Sequence, residues 1–322
     1  MASSEAGWTG RRVVVLGVGG TIAGTAASPE DNVGYTAAQV GVEQLAQAVP
    51  GLQRAIAKGL RLDCEQVAQL DSKDMSHAVW RALAERTAAW LARPDVDGVV
   101  ITHGTDTLEE TAYLLQRALA PHKPVVLTAA MRPASSAQAD GPQNLLDAVS
   151  LALQPGARGV VAVLGGAVWA GAEVRKVHPY RLDAFNAGDA GAIGYIEEGR
   201  LRRLRDWPDG AALGLSVLAA EVWPEVQVVL SHAGADGRIV DLLLDAGVQG
   251  LVVACTGNGT LHQDLASALH RATQRGVAVL RALRGGAGVI IGGGHEDFAA
   301  AAGLTPGQAR VELLLQLLAR SR

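Results

Sequence analysis

The sequence predicts an α/β protein: a larger N-terminal domain with a mostly parallel sheet flanked by helices, and a smaller C-terminal α/β domain with a parallel sheet of its own. Three observations carry this. Short β-type runs alternate with helix-period patterns along most of the 322 residues. Hydrophobic residues make up 49% and charged residues 19%, the balance of a chain with a packed core. The alternation lapses once, between Gly199 and Pro224, where Arg, Pro, Gly and Asp accumulate, and then resumes. The expected division is 1–199, a linker over 200–224, and 225–322.

Taken in order, Arg12 to Leu16 is a β-branched run that ends in glycine. His77 to Arg93 has helical spacing, with Val79, Leu83, Thr87 and Trp90 along one stripe. Gly98 to Thr102 reads as a strand and Leu108 to Leu119 as a helix. Pro124 to Ala129 is a strand, Pro142 to Leu153 a helix, and Gly159 to Leu164 a strand. Successive β and α units of this kind build a parallel sheet covered on both faces. The second series has strands at Val226 to Leu230 and Gly250 to Cys255, and helices over Ile239 to Ala246 and Leu261 to Gln274. Val277 to Leu280 and Val289 to Ile291 are expected to be further strands. Pro306 opens the last helix, where its missing N–H costs little.

Net charge is −4 and the pI about 6.1, so no basic surface offers itself to nucleic acid or an anionic membrane. The run Arg200, Arg202, Arg203 and Arg205 is flanked by acidic residues and reads as a solvated face. Two cysteines, Cys64 and Cys255, give neither a disulfide framework nor metal-ligand spacing, and both are expected to be free thiols in apolar surroundings. Met1 to Gly10 carries Glu5 and lacks a basic stretch followed by an apolar core. The expectation is a cytoplasmic protein with no membrane span.

Ligands of parallel sheets collect where strands end and loops begin, and the unusual residues fall at such points. Gly17-Val18-Gly19-Gly20-Thr21-Ile22-Ala23-Gly24 surrounds a hydroxyl with glycines, which let backbone approach a ligand closely. A dinucleotide loop would need glycine where Ile22 stands, and the segment after it is broken by Ser28, Pro29, Asp31, Asn32 and Gly34. Thr21 as a reactive group and plain turn chemistry both remain open here. Thr102-His103-Gly104-Thr105-Asp106-Thr107 could cap the following helix, but capping explains one or two of these six residues. Asp106 suits a substrate ammonium and Thr105 a proton transfer, while His103 reads as structural. In Asp71-Ser72-Lys73-Asp74-Met75, Ser72 suits a carboxylate, although on spacing alone a helix cap is the simpler reading. Lysine occurs only at 58, 73, 123 and 176. Lys73 and Lys176 are therefore notable in a chain that otherwise prefers arginine, because lysine can lose its proton when buried.

These motifs resemble the bacterial-type L-asparaginases. The likeness is carried by Gly19-Gly20-Thr21-Ile22-Ala23-Gly24, by Asp71 to Met75, and by Ile101-Thr102-His103-Gly104-Thr105-Asp106-Thr107-Leu108-Glu109-Glu110-Thr111. Ala130-Met131-Arg132-Pro133, Ala139-Asp140-Gly141-Pro142 with Asn144-Leu145, Tyr35-Thr36 with Gly41-Val42-Glu43, and Gly257-Asn258-Gly259 add to it. The resemblance runs from about Val13 to the final helix. It implies hydrolysis of L-asparagine to L-aspartate and ammonia, with Thr21 as nucleophile, Tyr35 assisting, and Thr105 with Lys176 serving proton transfer or water activation. It further implies Asp106 on the substrate ammonium and Ser72, flanked by Asp71 and Lys73, on the carboxylate. Gly20, Gly104 and the Ala130 carbonyl would approach the substrate through backbone. A homotetramer, a dimer of dimers, would supply Asn258 from a neighbouring chain, and neither cofactor nor metal is implied.

Two departures qualify the match. Lys73 stands where many secreted members carry an uncharged or acidic residue. The acidic residue those proteins bring from a neighbouring subunit has no secure counterpart, and Glu296, in a divergent glycine-rich stretch, is not carried over. The rival readings are a dual glutaminase-asparaginase, the amidase subunit of a tRNA-linked amidotransferase, which normally carries an extra domain ahead of this region, and a non-catalytic nucleotide-binding sensor.

Overall fold

The computed structural model describes residues 8–292 and 297–321. The chain forms two compact units, Met1–Leu215 and Ser216–Arg322.

In the first unit, β1 (Arg12–Gly19) leads through α1 (Val42–Gln47) and α2 (Pro50–Ala57) to β2 (Arg61–Leu70). Then follow α3 (His77–Leu91), β3 (Gly98–Thr102), α4 (Leu108–Leu119), β4 (Pro124–Thr128), α5 (Gly141–Ala152) and β5 (Gly159–Leu164). The strands β6 (Ala167–Ala170), β9 (Gly194–Glu197) and β10 (Arg200–Arg203) complete an eight-stranded sheet. Its order is β10-β9-β6-β5-β4-β3-β1-β2, with a separate two-stranded ribbon of β7 (Arg175–Lys176) and β8 (Phe185–Asn186). From β2 to β5 the strands are parallel, and β6, β9 and β10 are antiparallel. The central strands are almost wholly apolar because both faces are covered. Val13, Val15, Val100, Val126 and Val161 pack with Val42, Leu52, Leu145 and Leu151 from α1, α2 and α5. The alternate residues Val14, Leu16, Val99 and Ile101 are equally buried on the other face.

Local chemistry sets the helix ends. The Ser76 hydroxyl accepts from Val79 N at the start of α3, and Ala120 closes α4 in the left-handed conformation. Pro142 lies in the first turn of α5.

The second unit is a four-stranded parallel sheet in the order β11 (Val226–Leu230), β12 (Gly250–Cys255), β13 (Ala278–Leu283) and β14 (Ala299–Ala300). With α6 (Arg238–Asp245), α7 (Gln263–Gln274) and α8 (Pro306–Arg320) it encloses Val240, Leu251, Val253, Leu269 and Phe298. A reciprocal capping box between Thr305 and Gln308 starts α8, with Pro306 in its first turn.

Two expectations change. Val289 to Ile291 is not a strand: the free edge of β13 is taken by β14, and the backbone N–H and C=O of Ile291 are both engaged by the Asn258 side chain. Val289 and Ile291 are 55% and 76% exposed. The stretch expected to be a linker opens with β10, whose arginines are compatible with an outermost strand. Arg202 there pairs with Glu197 across the hairpin.

Strand register gathers the chemistry-bearing loops. Gly17 pairs with Thr102, Thr102 with Thr128, and Gly19 with Leu70, so the loops after β1, β2, β3 and β4 leave the sheet at one carboxyl edge. No described helix is long and apolar enough to cross a membrane.

Candidate active site

Immediately after β1 the chain turns through Gly20 into a single 3-10 turn, Thr21–Ala23. Gly20 has φ +83°, and a Cβ there would lie 2.2 Å from the Cα of Gly104. A Cβ on Gly104 would in turn lie 2.4 Å from Ser72 Oγ. Three loops are therefore pressed together at a spacing that only glycines at 20 and 104 permit.

Thr21, 7% exposed, shares a hydrogen bond of 2.7 Å with the hydroxyl of Tyr35. Tyr35 belongs to a loop closed by paired backbone bonds of 2.9 Å between Thr25 and Thr36. Lys176 Nζ donates to Thr105 Oγ1 at 2.8 Å and to Asp106 Oδ1 at 2.6 Å. The Glu109 carboxylate accepts the backbone N–H of Lys176 at 2.7 Å, which ties β7 to the start of α4. The ammonium is largely enclosed, with 19% of the Lys176 side chain exposed against 51% for Asp106. Both constellations open on one cavity of about 210 Å³, whose walls include Thr21, Tyr35, Thr105, Asp106 and Lys176. No described group accepts from the backbone N–H of Thr21 or of Thr105.

Ser72 lies behind this front rank, 1% exposed: its hydroxyl oxygen accepts from Asp106 N at 3.2 Å, and its carbonyl accepts from the Thr107 hydroxyl at 2.8 Å. Asp71 caps the short turn Ser72–Asp74, and Lys73 reaches away to Asp71 and Asp74 on the surface. Ala130 is buried in the loop after β4. Asp140 accepts from the backbone N–H groups of Met131 and Arg132, and Asn144 donates to the Ala129 carbonyl, so the start of α5 sets that loop's course. Asn258 belongs to the second unit, in the turn between Thr256 and Thr260, where its amide is satisfied by Ile291. Glu296 lies outside the described residues.

His103 is fully buried and does not line the cavity. Burial pushes its pKa down to about 4, against an opposing pull from the Gly104 carbonyl, so the ring is neutral at physiological pH. That agrees with the structural reading.

Sequence reasoning gave no role to Arg132 and passed over Pro179 and Tyr180. The Arg132 guanidinium donates to the Met131 and Tyr180 carbonyls at 3.1 and 2.8 Å and stacks on the Tyr180 ring, and Met131, Pro179 and Tyr180 line the cavity. An aromatic four residues beyond a scarce lysine was the one available signal. A larger cleft of about 510 Å³, bounded by Trp169, Leu182, Phe185 and Tyr195, holds none of the groups singled out above.

Residues 12–208 match the family model described as Asparaginase, N-terminal, and residues 225–321 the one described as Glutaminase/Asparaginase C-terminal domain. The chain belongs to the asparaginase family. Among its relatives in that family, L-asparaginase 2 of Escherichia coli K12 is 37% identical over 95% of this chain and 88% of its own length. Glutaminase-asparaginase of Pseudomonas fluorescens biotype A is 34% identical over 95% and 86%. The solved structure of a probable cytoplasmic L-asparaginase from Campylobacter jejuni superposes with a TM-score of 0.89 at 34% identity, covering 95% of both chains. A relative from Haemophilus influenzae, 35% identical over 95% of this chain and 88% of its own length, is named a probable periplasmic L-asparaginase, so the family's names span both locations. Its names also span one amide substrate and two.

Proposed function

We propose that the protein hydrolyses the side-chain amide of L-asparagine to L-aspartate and ammonia through a threonyl ester. The observation that carries this is the opening of the Thr21–Tyr35 pair and the Thr105–Lys176–Asp106 cluster on one small cavity. Thr21 Oγ1 attacks the amide carbon and its proton passes by way of the Tyr35 oxygen to the amide nitrogen, which leaves as ammonia. Water then attacks the ester carbon, with Thr105 and Lys176 moving its proton, and the Thr21 hydroxyl is restored.

The N–H groups of Thr21 and Thr105, unclaimed by described residues, are the donors for the carbonyl oxygen that becomes negative. One such donor is worth about 3 kcal/mol of barrier. Asp106 takes the substrate ammonium. Ser72, whose oxygen already accepts from Asp106 N, keeps its hydrogen to donate to the carboxylate. We also propose the homotetramer, with Asn258 of a neighbouring subunit completing the site. A fully active monomer in light scattering would refute it.

The glutaminase-asparaginase name of the Pseudomonas fluorescens relative favours a second reading, turnover of both amides. A single methylene is worth about 1–3 kcal/mol in a close-fitting site, and we expect asparagine to be much the faster substrate. Ammonia release from asparagine and glutamine side by side measures this, and equal catalytic efficiency would refute the preference. The mechanism is tested by intact mass spectrometry after mixing with asparagine. Thr105→Val and Lys176→Met should accumulate an aspartyl adduct on the peptide containing Thr21, and Thr21→Ala should form none. An adduct on Thr105 would reverse the two threonines.

A further inference from the structure

A chain of buried polar groups runs from α3 to the rim of the cavity. Trp80 Nε1 donates to Thr111 Oγ1 at 2.8 Å, Thr111 Oγ1 lies 3.0 Å from His103 Nε2, and His103 Nδ1 lies 2.7 Å from the Gly104 carbonyl oxygen. Its direction follows from the chemistry of its ends. The Gly104 carbonyl can only accept, so the one proton of the neutral ring sits on Nδ1, aimed at that oxygen. Nε2 is then the bare nitrogen, and the Thr111 hydroxyl, which accepts from the indole N–H, turns its own hydrogen to it. The carbonyl end fixes the tautomer, and the Trp80–Thr111 end is compatible with it.

This bond bears on the peptide between Gly104 and Thr105. No cis bond occurs in the described chain, so the Gly104 carbonyl and the Thr105 N–H point in opposite directions across one plane. With the carbonyl drawn to His103, the Thr105 N–H faces away from the imidazole, and no described group takes it. Gly104 must be glycine because Ser72 leaves no room for a Cβ. Glycine leaves its own ψ soft, and the hydrogen bond from His103 restrains the plane.

We propose that Trp80, Thr111 and His103 are positioning residues that fix the Gly104–Thr105 peptide and so aim the Thr105 N–H at the oxygen that becomes negative. The inference rests on the amide hydrolysis proposed above. It assigns His103 no proton transfer to substrate.

Two measurements test it. In protein labelled with 15N-histidine, the resonance lost in His103→Asn identifies His103. Its two nitrogens should show a proton on Nδ1 and none on Nε2, and the Nε2 resonance should shift in Thr111→Val, which removes its donor. Thr111→Val should also lower kcat for asparagine about 10- to 100-fold while KM stays within about threefold, since a misaimed donor is felt in the transition state. Thr111→Ser should restore kcat. If Thr111→Val does not fold, His103→Asn against His103→Leu makes the same distinction: the asparagine amide can still donate to the Gly104 carbonyl and should keep kcat within a few-fold, whereas leucine should not. A proton on Nε2, or a folded Thr111→Val or His103→Leu with wild-type kcat, overturns the proposal. Wild-type protein that frees no ammonia from asparagine or glutamine overturns the hydrolase reading instead, and the tautomer measurement, which needs no turnover, still decides the relay.

Discussion

Acidification should weaken the first unit through His103, and Asp147 should partly mask the loss. The folded protein resists protonating His103, whose pKa is pushed by burial from 6.5 to about 4. As pH falls below 6.5 the unfolded chain takes up a proton that the folded chain refuses, so stability is lost progressively until pH reaches about 4. At about 1.4 kcal/mol per pH unit the full loss is roughly 3 kcal/mol. Asp147 has the opposite sign. Burial raises its pKa from 3.8 to about 6, against a hydrogen bond from Gln143, so the folded state holds a proton that the unfolded state releases. Stability is gained as pH falls from 6 towards 3.8. The Asp147 carboxyl lines an open cleft with Trp8, Arg54 and Lys58, and solvent screening reduces its share to roughly 1 kcal/mol. Wild-type protein should therefore lose roughly 2 kcal/mol between pH 6.5 and 4.5 from this pair, and Asp147→Asn more. His103→Asn should lose none of the histidine share. Urea unfolding followed by tryptophan fluorescence reads this in the right unit, because five of the six tryptophans, all but Trp223, lie in Met1–Leu215. Identical losses in wild type and His103→Asn would refute the reasoning.

Other changes have equally direct readouts. Gly20→Ala forces a side chain into a left-handed backbone and onto Gly104, which should cost roughly 3–5 kcal/mol in urea unfolding and at least 100-fold in ammonia release. Tyr35→Phe removes the only side-chain bond to the Thr21 hydroxyl among the described residues. It should lower kcat by about 100- to 1000-fold, read in steady-state kinetics, with little change in KM. The thiols of Cys64 and Cys255 are pushed by burial from 9.0 to about 11, so each carries roughly 100-fold less thiolate at neutral pH. Modification by a thiol reagent should be correspondingly slow in native protein and rapid in urea, and fast labelling of native Cys255 would contradict its burial.

The legible part of the fold was the part whose pattern follows from burial. β3, β5 and β12 are apolar runs covered on both faces, and their bounds agree residue for residue with the sequence reading, as do those of β11, an outer strand whose Val228 and Leu230 are exposed. β2 escaped notice because Arg61-Leu62-Asp63-Cys64-Glu65-Gln66 is an edge strand, half-buried, whose charges pair outward: Asp63 with Arg12 and Glu65 with Arg86. Val289 to Ile291 misled for the converse reason. It has strand-like composition, but strand formation needs a partner edge, and Ala299–Ala300 holds it.

The site divides in the same way. Thr21, Thr105 and Asp106 stood out because hydroxyls, glycines and a carboxylate crowd the ends of their strands, but turn and cap chemistry stayed open there and their roles came from the resemblance. What pattern could not supply was the ranking by depth. Ser72 and Asp106 stand alike in the sequence as polar residues of a loop, yet Ser72 is enclosed, its oxygen accepting from Asp106 N, while the Asp106 side chain is half open. Trp80, His103 and Thr111 fall on a helix face, a loop and a second helix. Each alone has an ordinary explanation, and only their distances make them one chain of hydrogen bonds. A donor–acceptor sequence has a direction as well as a spacing, and direction is set by the end that cannot donate. That property belongs to the assembled triad, and so it enters the argument only with the fold.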